Sequence, residues 1–136
     1  MFNILELTMQ KYLLLIGRIF LTLIFIMAGL GKVMDFAGTQ QYMSAYGMPL
    51  TSFFLIVAFL IEILGSLSIL LGWKAKWGAL ALIIFLIPTS LIFHTHFSDQ
   101  VQMIMFLKNL GLLGGLLYIY VFGPGEISFA AKKKES

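Results

Sequence analysis

Three charged side chains, Arg18, Glu62 and Lys108, lie inside long apolar runs. A charge at the centre of a bilayer costs roughly 2.5–3.5 kcal/mol on insertion scales, so each of the three needs a partner or a task. A carboxylate set between two cations can do one of two things. It can orient helices by pairing, with Lys108 snorkelling to the headgroups. It can also form a polar intramembrane site with one excess positive charge, suited to an anionic or quinone-like ligand or to a proton path. His94 and His96 are two residues apart, so on a helix they point away from each other. Without a cysteine they make a poor zinc set, and paired haem ligands would come from different helices. We therefore expect no metal and no haem, with both histidines at the interface. The absence of cysteine also removes thiol chemistry and disulfides from this chain. No nucleophilic triad, phosphate loop or nucleotide fingerprint is present, so no catalytic residue is assigned. The eight methionines are spread through the chain as core filling.

The elements that must position these groups are membrane spans. The 136 residues make one domain, 60% hydrophobic and only 11% charged, against about 25% charged in a soluble domain. Apolar runs predict helices over residues 12–30, 53–71, 77–93 and 103–122, each close to the ~20 residues needed to cross hydrocarbon. The expected fold is an all-α integral membrane protein, a four-transmembrane-helix bundle. Between the first two helices, residues 35–51 read as a short amphipathic segment with Asp35 as N-cap and Gly47 and Pro49 as terminators. Pro88 is expected to kink the third helix, where Thr89 or Ser90 can satisfy the freed carbonyl. Residues 126–136 form a short basic tail. The first apolar run is longer than a signal-peptide core and reads as a retained helix.

Helical spacing sorts the charges onto faces. Arg18, Thr22, Phe25, Gly29 and Lys32 share one side of the first helix, and Ala58, Glu62, Gly65 and Ser66 one side of the second. Lys108, Gly111, Gly115 and Tyr118 share a side of the fourth. Small residues let membrane helices approach, so all three stripes are expected to face the bundle. Glu62 falls at the centre of its helix, with Arg18 ~4.5 Å from the centre of the first on one side and Lys108 ~7 Å from that of the fourth on the other. The expectation is an Arg18–Glu62 pair, with Lys108 as the competing partner.

Basic residues set the orientation. Lys11, Lys74, Lys76, Lys132, Lys133 and Lys134 fall on one side and Lys32 alone on the other, which places both termini in the cytoplasm. Trp73 and Trp77 flank the lysine-rich loop as interfacial anchors. The scattered basic residues are no nucleic-acid footprint, and the partner read from composition is the lipid bilayer.

Several segments, in order, resemble the DoxX family. They are Gly17-Arg18-Ile19-Phe20, Phe25 to Lys32 with Asp35, and Tyr46-Gly47-Met48-Pro49. Glu62 with Gly65, Leu70-Leu71-Gly72-Trp73, Lys108-Asn109-Leu110-Gly111 and Gly123-Pro124-Gly125 with Ser128 complete the pattern, over roughly residues 15–130. The resemblance implies a four-helix bacterial inner-membrane protein. It implies Arg18, Lys32, Glu62, Lys108 and Asn109 as candidate polar-site residues. Members of that family include a small subunit of a thiosulfate:quinone oxidoreductase and a membrane partner in a mycobacterial oxidative-stress complex. Three readings stay open: a membrane subunit of a redox or stress complex with a soluble or membrane partner, a stand-alone small-solute or proton-coupled transporter, and a structural membrane protein without a ligand; a homodimer with no cofactor fits either of the last two. No bound cofactor is expected from the residues; a quinone is the one the resemblance admits. A reporter active only outside the cytoplasm, fused after Ser136, is predicted to stay silent; strong reporter activity overturns the orientation.

Overall fold

A computed structural model describes residues 3–129. It contains α1 (Ile4–Met34), α2 (Phe36–Ala45), α3 (Thr51–Leu71), α4 (Ala75–Phe93) and α5 (Gln100–Phe122). Helices α1, α3, α4 and α5 are long and apolar enough to cross a membrane. The fold is the expected four-span bundle. Every span starts earlier than its apolar run, most clearly α1. There Asn3 and Glu6 form a reciprocal cap, Glu6 N–H donating to Asn3 Oδ1 at 2.8 Å and Asn3 N–H to Glu6 Oε2 at 3.1 Å. Gln10 and Lys11 are good helix formers, so the helix continues past the hydrocarbon-compatible residues. Lys132, Lys133 and Lys134 of the basic tail lie outside the described residues.

α1 packs on α3, α3 on α4 and α4 on α5, and the α1–α5 seam that closes the ring is the loosest. Two of the three predicted faces are buried as expected: Arg18, Thr22, Phe25 and Gly29 on α1, and Glu62, Gly65 and Ser66 on α3, with Ala58 half-buried. The glycines there allow close approach. A Cβ on Gly65 would sit 2.9 Å from Leu82 Cγ, and one on Gly78 would sit 2.8 Å from the Gly65 carbonyl.

The α5 expectation needs correcting. Lys108, Gly111 and Tyr118 are exposed, while Asn109 and Leu116 are buried. Leu112, Leu113, Leu116 and Ile119 face the core cluster of Phe25, Ile69, Leu82 and Leu86. Branched side chains supply more dispersion contact than a glycine stripe, and nothing lies within 4 Å of a Cβ built on Gly111 or Gly114.

α4 runs through Pro88. Thr89 and Ser90 donate to the carbonyls of Phe85 at 2.8 Å and Leu86 at 2.7 Å. Those are one and two residues beyond the carbonyl of Ile84, which loses its i+4 partner to the proline.

Asp35 caps α2 by accepting from Gly38 N–H at 3.1 Å. Gly47 at φ +81° turns the chain out of α2, and Leu50 enters α3 in the left-handed region at φ +51°. Trp73 and Trp77 are exposed beside the α3–α4 turn, with Lys74 Nζ 4.9 Å from the Trp73 ring centroid.

The glycine zipper makes a prediction. Gly78→Ala forces a shift of backbone, not only of a side chain, and is expected to lower stability in detergent by about 1–3 kcal/mol. Gly111→Ala adds a methyl in open space and should stay within about 0.5 kcal/mol. Thermal unfolding of the two variants checks this; equal effects overturn the assignment of faces.

Candidate functional site

Arg18 is buried, and among the described residues no carboxylate forms an ion pair with it. Its guanidinium donates to four carbonyls: Nε to Ile69 at 3.0 Å, Nη2 to Leu70 at 2.6 Å, and Nη1 to Pro124 at 2.9 Å and Ile127 at 2.6 Å. The expected Arg18–Glu62 pair is therefore not formed. α3 ends at Leu71, where intrahelical i+4 donors run out; Gly72 N–H reaches the Ile69 carbonyl at 3.1 Å and Trp73 N–H the Ser68 carbonyl at 3.0 Å, which leaves acceptor capacity on this turn. A cation there uses that capacity and complements the negative end of the helix dipole. The same guanidinium ties the segment after α5 to α3, where Phe129 N–H also donates to the Leu71 carbonyl at 3.1 Å.

Glu62 pairs with Lys32 instead. Lys32 Nζ donates to Glu62 Oε1 at 3.0 Å and Oε2 at 2.9 Å. The two residues come together through Gly29. It lies one turn before Lys32 on the same face, and α3 packs over it with Ile63 and the Glu62 Cβ against the space a side chain would take. The Glu62 side chain is 4% exposed and that of Lys32 25%. A carboxylate near the middle of α3 thus meets an ammonium that still reaches the surroundings.

Lys108 faces away from this pair. Its Nζ approaches Met105 Sδ at 3.9 Å, one turn nearer the start of α5, as a snorkelling lysine does. Asn109 is buried and donates through Nδ2 to Ser90 Oγ at 2.9 Å, a polar bond between α5 and α4. The structure thus splits the five candidates into a latch (Arg18), an ion pair (Lys32 and Glu62), an interhelical hydrogen bond (Asn109) and an outward cation (Lys108).

Lys32 also lines a cavity of about 380 Å³ between α1, α2, α3 and α4. Leu55, Val57 and Ala58 of α3 form one wall and Phe85, Thr89 and Phe93 of α4 another. Thr39, Tyr42 and Met43 of α2 cover it. Among the described residues, Lys32 is the one Lys, Arg, Asp or Glu in the cavity lining.

The cover is held by an aromatic cluster and hydrogen bonds. Tyr42 stacks on Phe93 at 5.5 Å between centroids, and Tyr46 meets Phe93 edge-on at 5.1 Å. Gln40 Nε2 donates to Thr51 Oγ1 at 3.2 Å and Ser52 Oγ at 2.5 Å. Burial, reinforced by Tyr46, pushes the Tyr42 hydroxyl up to about 12 against a hydrogen bond with Gln102, so it remains a neutral phenol.

His94 sits at the cavity edge with Nδ1 2.9 Å from Gln102 Oε1, while His96 is exposed beside Tyr46. No group of three His, Asp or Glu side chains suited to a metal ion converges among the described residues. The cavity residues on α2 and the end of α4 escaped sequence reasoning. Only the amphipathic pattern of α2 hinted that this segment folds over the bundle.

A four-span bundle with a charged pair beside a covered apolar cavity defines a multi-pass membrane protein with a candidate ligand site. The family described as DoxX matches residues 13–95. The chain is 42% identical over 114 residues to the inner membrane protein YqjF of Escherichia coli (strain K12), covering 84% of this chain and 86% of that one. It is 38% identical over 125 residues to the inner membrane protein YphA of the same organism, covering 88% and 89%. No solved structure matches the chain at a significant level. The chain belongs to the DoxX family, and it is an inner membrane protein like those relatives.

The observed pairing makes a new prediction. Glu62→Gln and Lys32→Met should each destabilise the protein, and the double variant should lose less than the sum, because it leaves no orphan charge. Breaking a fully buried pair costs about 3–5 kcal/mol, and the partial exposure of Lys32 lowers that figure here. Arg18→Met and Glu62→Gln should instead add. Thermal unfolding of the singles and doubles checks both statements; additive Lys32 and Glu62 effects overturn the pair.

Proposed function

We propose that the chain is the membrane subunit of a redox or oxidative-stress complex and that its cavity receives a quinone-type ligand. The observation that carries this reading is the apolar cavity with the Lys32 ammonium on its wall. A quinone is an apolar ring whose carbonyl oxygens need a hydrogen-bond donor. Pockets for such molecules are mostly apolar with a few placed polar groups. Aromatic side chains at Tyr42, Phe85 and Phe93 supply flat surfaces for a ring. The chain has no cysteine, so electrons would pass between the quinone and a partner protein. In this reading both termini lie in the cytoplasm, and the cavity opens toward the opposite, lysine-poor side.

A second reading is proton-coupled transport of a small solute. It draws on Glu62, a buried carboxylate near the middle of a span, where transporter sites commonly lie.

Calorimetric titration of the protein in nanodiscs with a short-chain benzoquinone tests the first reading. Saturable binding that is abolished by Ala58→Trp, which fills the cavity, is the expected result. No binding, or binding indifferent to that change, overturns it. Native mass spectrometry should also find a co-purifying dehydrogenase or quinone; a homodimer without either favours the transport or the structural reading.

A further inference from the structure

The Lys32–Glu62 pair has its two members in different surroundings. Glu62 is almost wholly enclosed and is not part of the cavity wall, while Lys32 forms part of that wall and is a quarter exposed. Two of the three ammonium hydrogens are engaged by the carboxylate oxygens, and the third makes only a long contact to the Ala28 carbonyl, at 3.5 Å, which a ligand oxygen at a shorter distance would displace. The remaining hydrogen-bonding capacity belongs to Lys32 alone among the charged groups at the wall. An oxygen of a ligand in the cavity therefore meets the cation first, with the carboxylate behind it.

We propose that this site binds apolar molecules carrying an acidic oxygen, and that it binds them together with one proton, which Glu62 holds. The inference rests on the reading of the cavity as a ligand site and adds the charge state in which the ligand is held. The physical argument is a competition for Lys32. An anionic oxygen in the cavity forms a charge-assisted hydrogen bond to the ammonium, of the stronger kind. In doing so it draws Lys32 from Glu62. A carboxylate enclosed to this degree without its cation neutralises rather than remain charged.

The balance is simple. If the ligand enters as the neutral acid, its O–H bond breaks and the proton passes to a Glu62 oxygen, leaving the ligand anion on Lys32. If it enters as the anion, Glu62 takes up one proton from the buffered solvent, whose acid form is converted to its conjugate base. In both cases the site keeps its net charge of zero plus that of a neutral ligand.

The other groups facing the pair do not substitute for Glu62. On α2 the Tyr42 hydroxyl is already protonated and stays so. On α4 the nearest titratable group is His94, at the cavity edge and engaged with Gln102. On α1 Asp35 is exposed and caps α2. Lys108 of α5 faces outward. Two ligand sources share this chemistry: a quinol or hydroxyquinone oxygen, and a fatty-acid carboxylate.

The test uses the full chain in nanodiscs with three probes: an alkyl-substituted hydroxynaphthoquinone, dodecanoate, and a neutral short-chain benzoquinone. Calorimetry in two buffers of different ionisation enthalpy counts protons taken up per ligand bound. The hydroxynaphthoquinone also reports its own ionisation by its visible absorption. At a pH where that probe is ionised, wild-type protein should bind it as the anion and take up about one proton per site, as the competition for Lys32 requires. Glu62→Gln should keep binding and lose the uptake. The double variant Lys32→Met with Glu62→Gln leaves no orphan charge, so it stays folded. It should weaken anion binding by roughly tenfold or more while still taking the neutral benzoquinone.

Uptake with hydroxynaphthoquinone but not dodecanoate assigns the site to ring oxygens, and uptake with dodecanoate alone assigns it to carboxylates. Binding of the anion without proton uptake overturns the coupling but leaves the cavity reading intact. Failure of all three probes to bind overturns the cavity reading and the coupling with it. Unchanged anion affinity in the double variant overturns the role of Lys32.

Discussion

Hydrocarbon offers no hydrogen bonds, so every polar group between the spans must find its partner within the protein. This constraint explains the positions of the polar side chains better than charge attraction does. Arg18 settles on four carbonyls. Those oxygens lie at the end of α3 and in the segment after α5, and the Ile69 carbonyl accepts from the Gly72 N–H at 3.1 Å as well as from the guanidinium. Asn109 and Ser90 satisfy each other across the α4–α5 seam. Glu62 takes the ammonium its helix-packing glycine brings near. Among the described residues, the Ser66 hydroxyl is a buried exception, with no hydrogen-bond partner.

The bundle is asymmetric along its length. α3 and α4 are drawn together at Gly65 and Gly78, close to the turn that joins them. Toward Leu55 and Phe85 the same two helices part, and the cavity occupies the space. Phe54, Phe85 and Phe93 line this space. α2 lies over this open end, fixed by the Asp35 cap and by the contacts of Tyr42 and Tyr46 with Phe93. One end of the molecule is thus tightly built around Arg18, and the other holds a covered void beside Lys32.

The relatives place the chain in a family of inner membrane proteins, and the match extends across the segments that supply Arg18, Lys32, Glu62 and the cavity walls. The division of labour among the charges has a mechanical consequence. The Arg18 latch and the Lys32–Glu62 pair sit on one α1–α3 interface, separated by Thr22, Phe25 and Gly29. A movement of Lys32 at one end can therefore occur without loosening the other, because four independent hydrogen bonds hold it.

The sequence by itself determined the spans, the amphipathic α2, the Asp35 cap and the buried faces of α1 and α3. Each of these follows from local chemistry: run length against bilayer thickness, cap residues, and a period of 3.6 residues. The partner of each charge was not legible. Arg18 and Glu62 lie within ~4.5 Å in depth and both fall on small-residue faces, a pattern that reads as a pair. Backbone carbonyls at a helix end leave no mark in sequence, yet they are what captured the guanidinium. Only the tertiary structure decided that Gly29 brings α3 against Lys32. It also decided that α5 turns Leu112, Leu113 and Leu116 inward and Gly111 outward, since a glycine stripe is readable as a packing face whether or not a neighbour occupies it. The cavity, finally, is a property of how four helices diverge, and no residue in it announces an empty space.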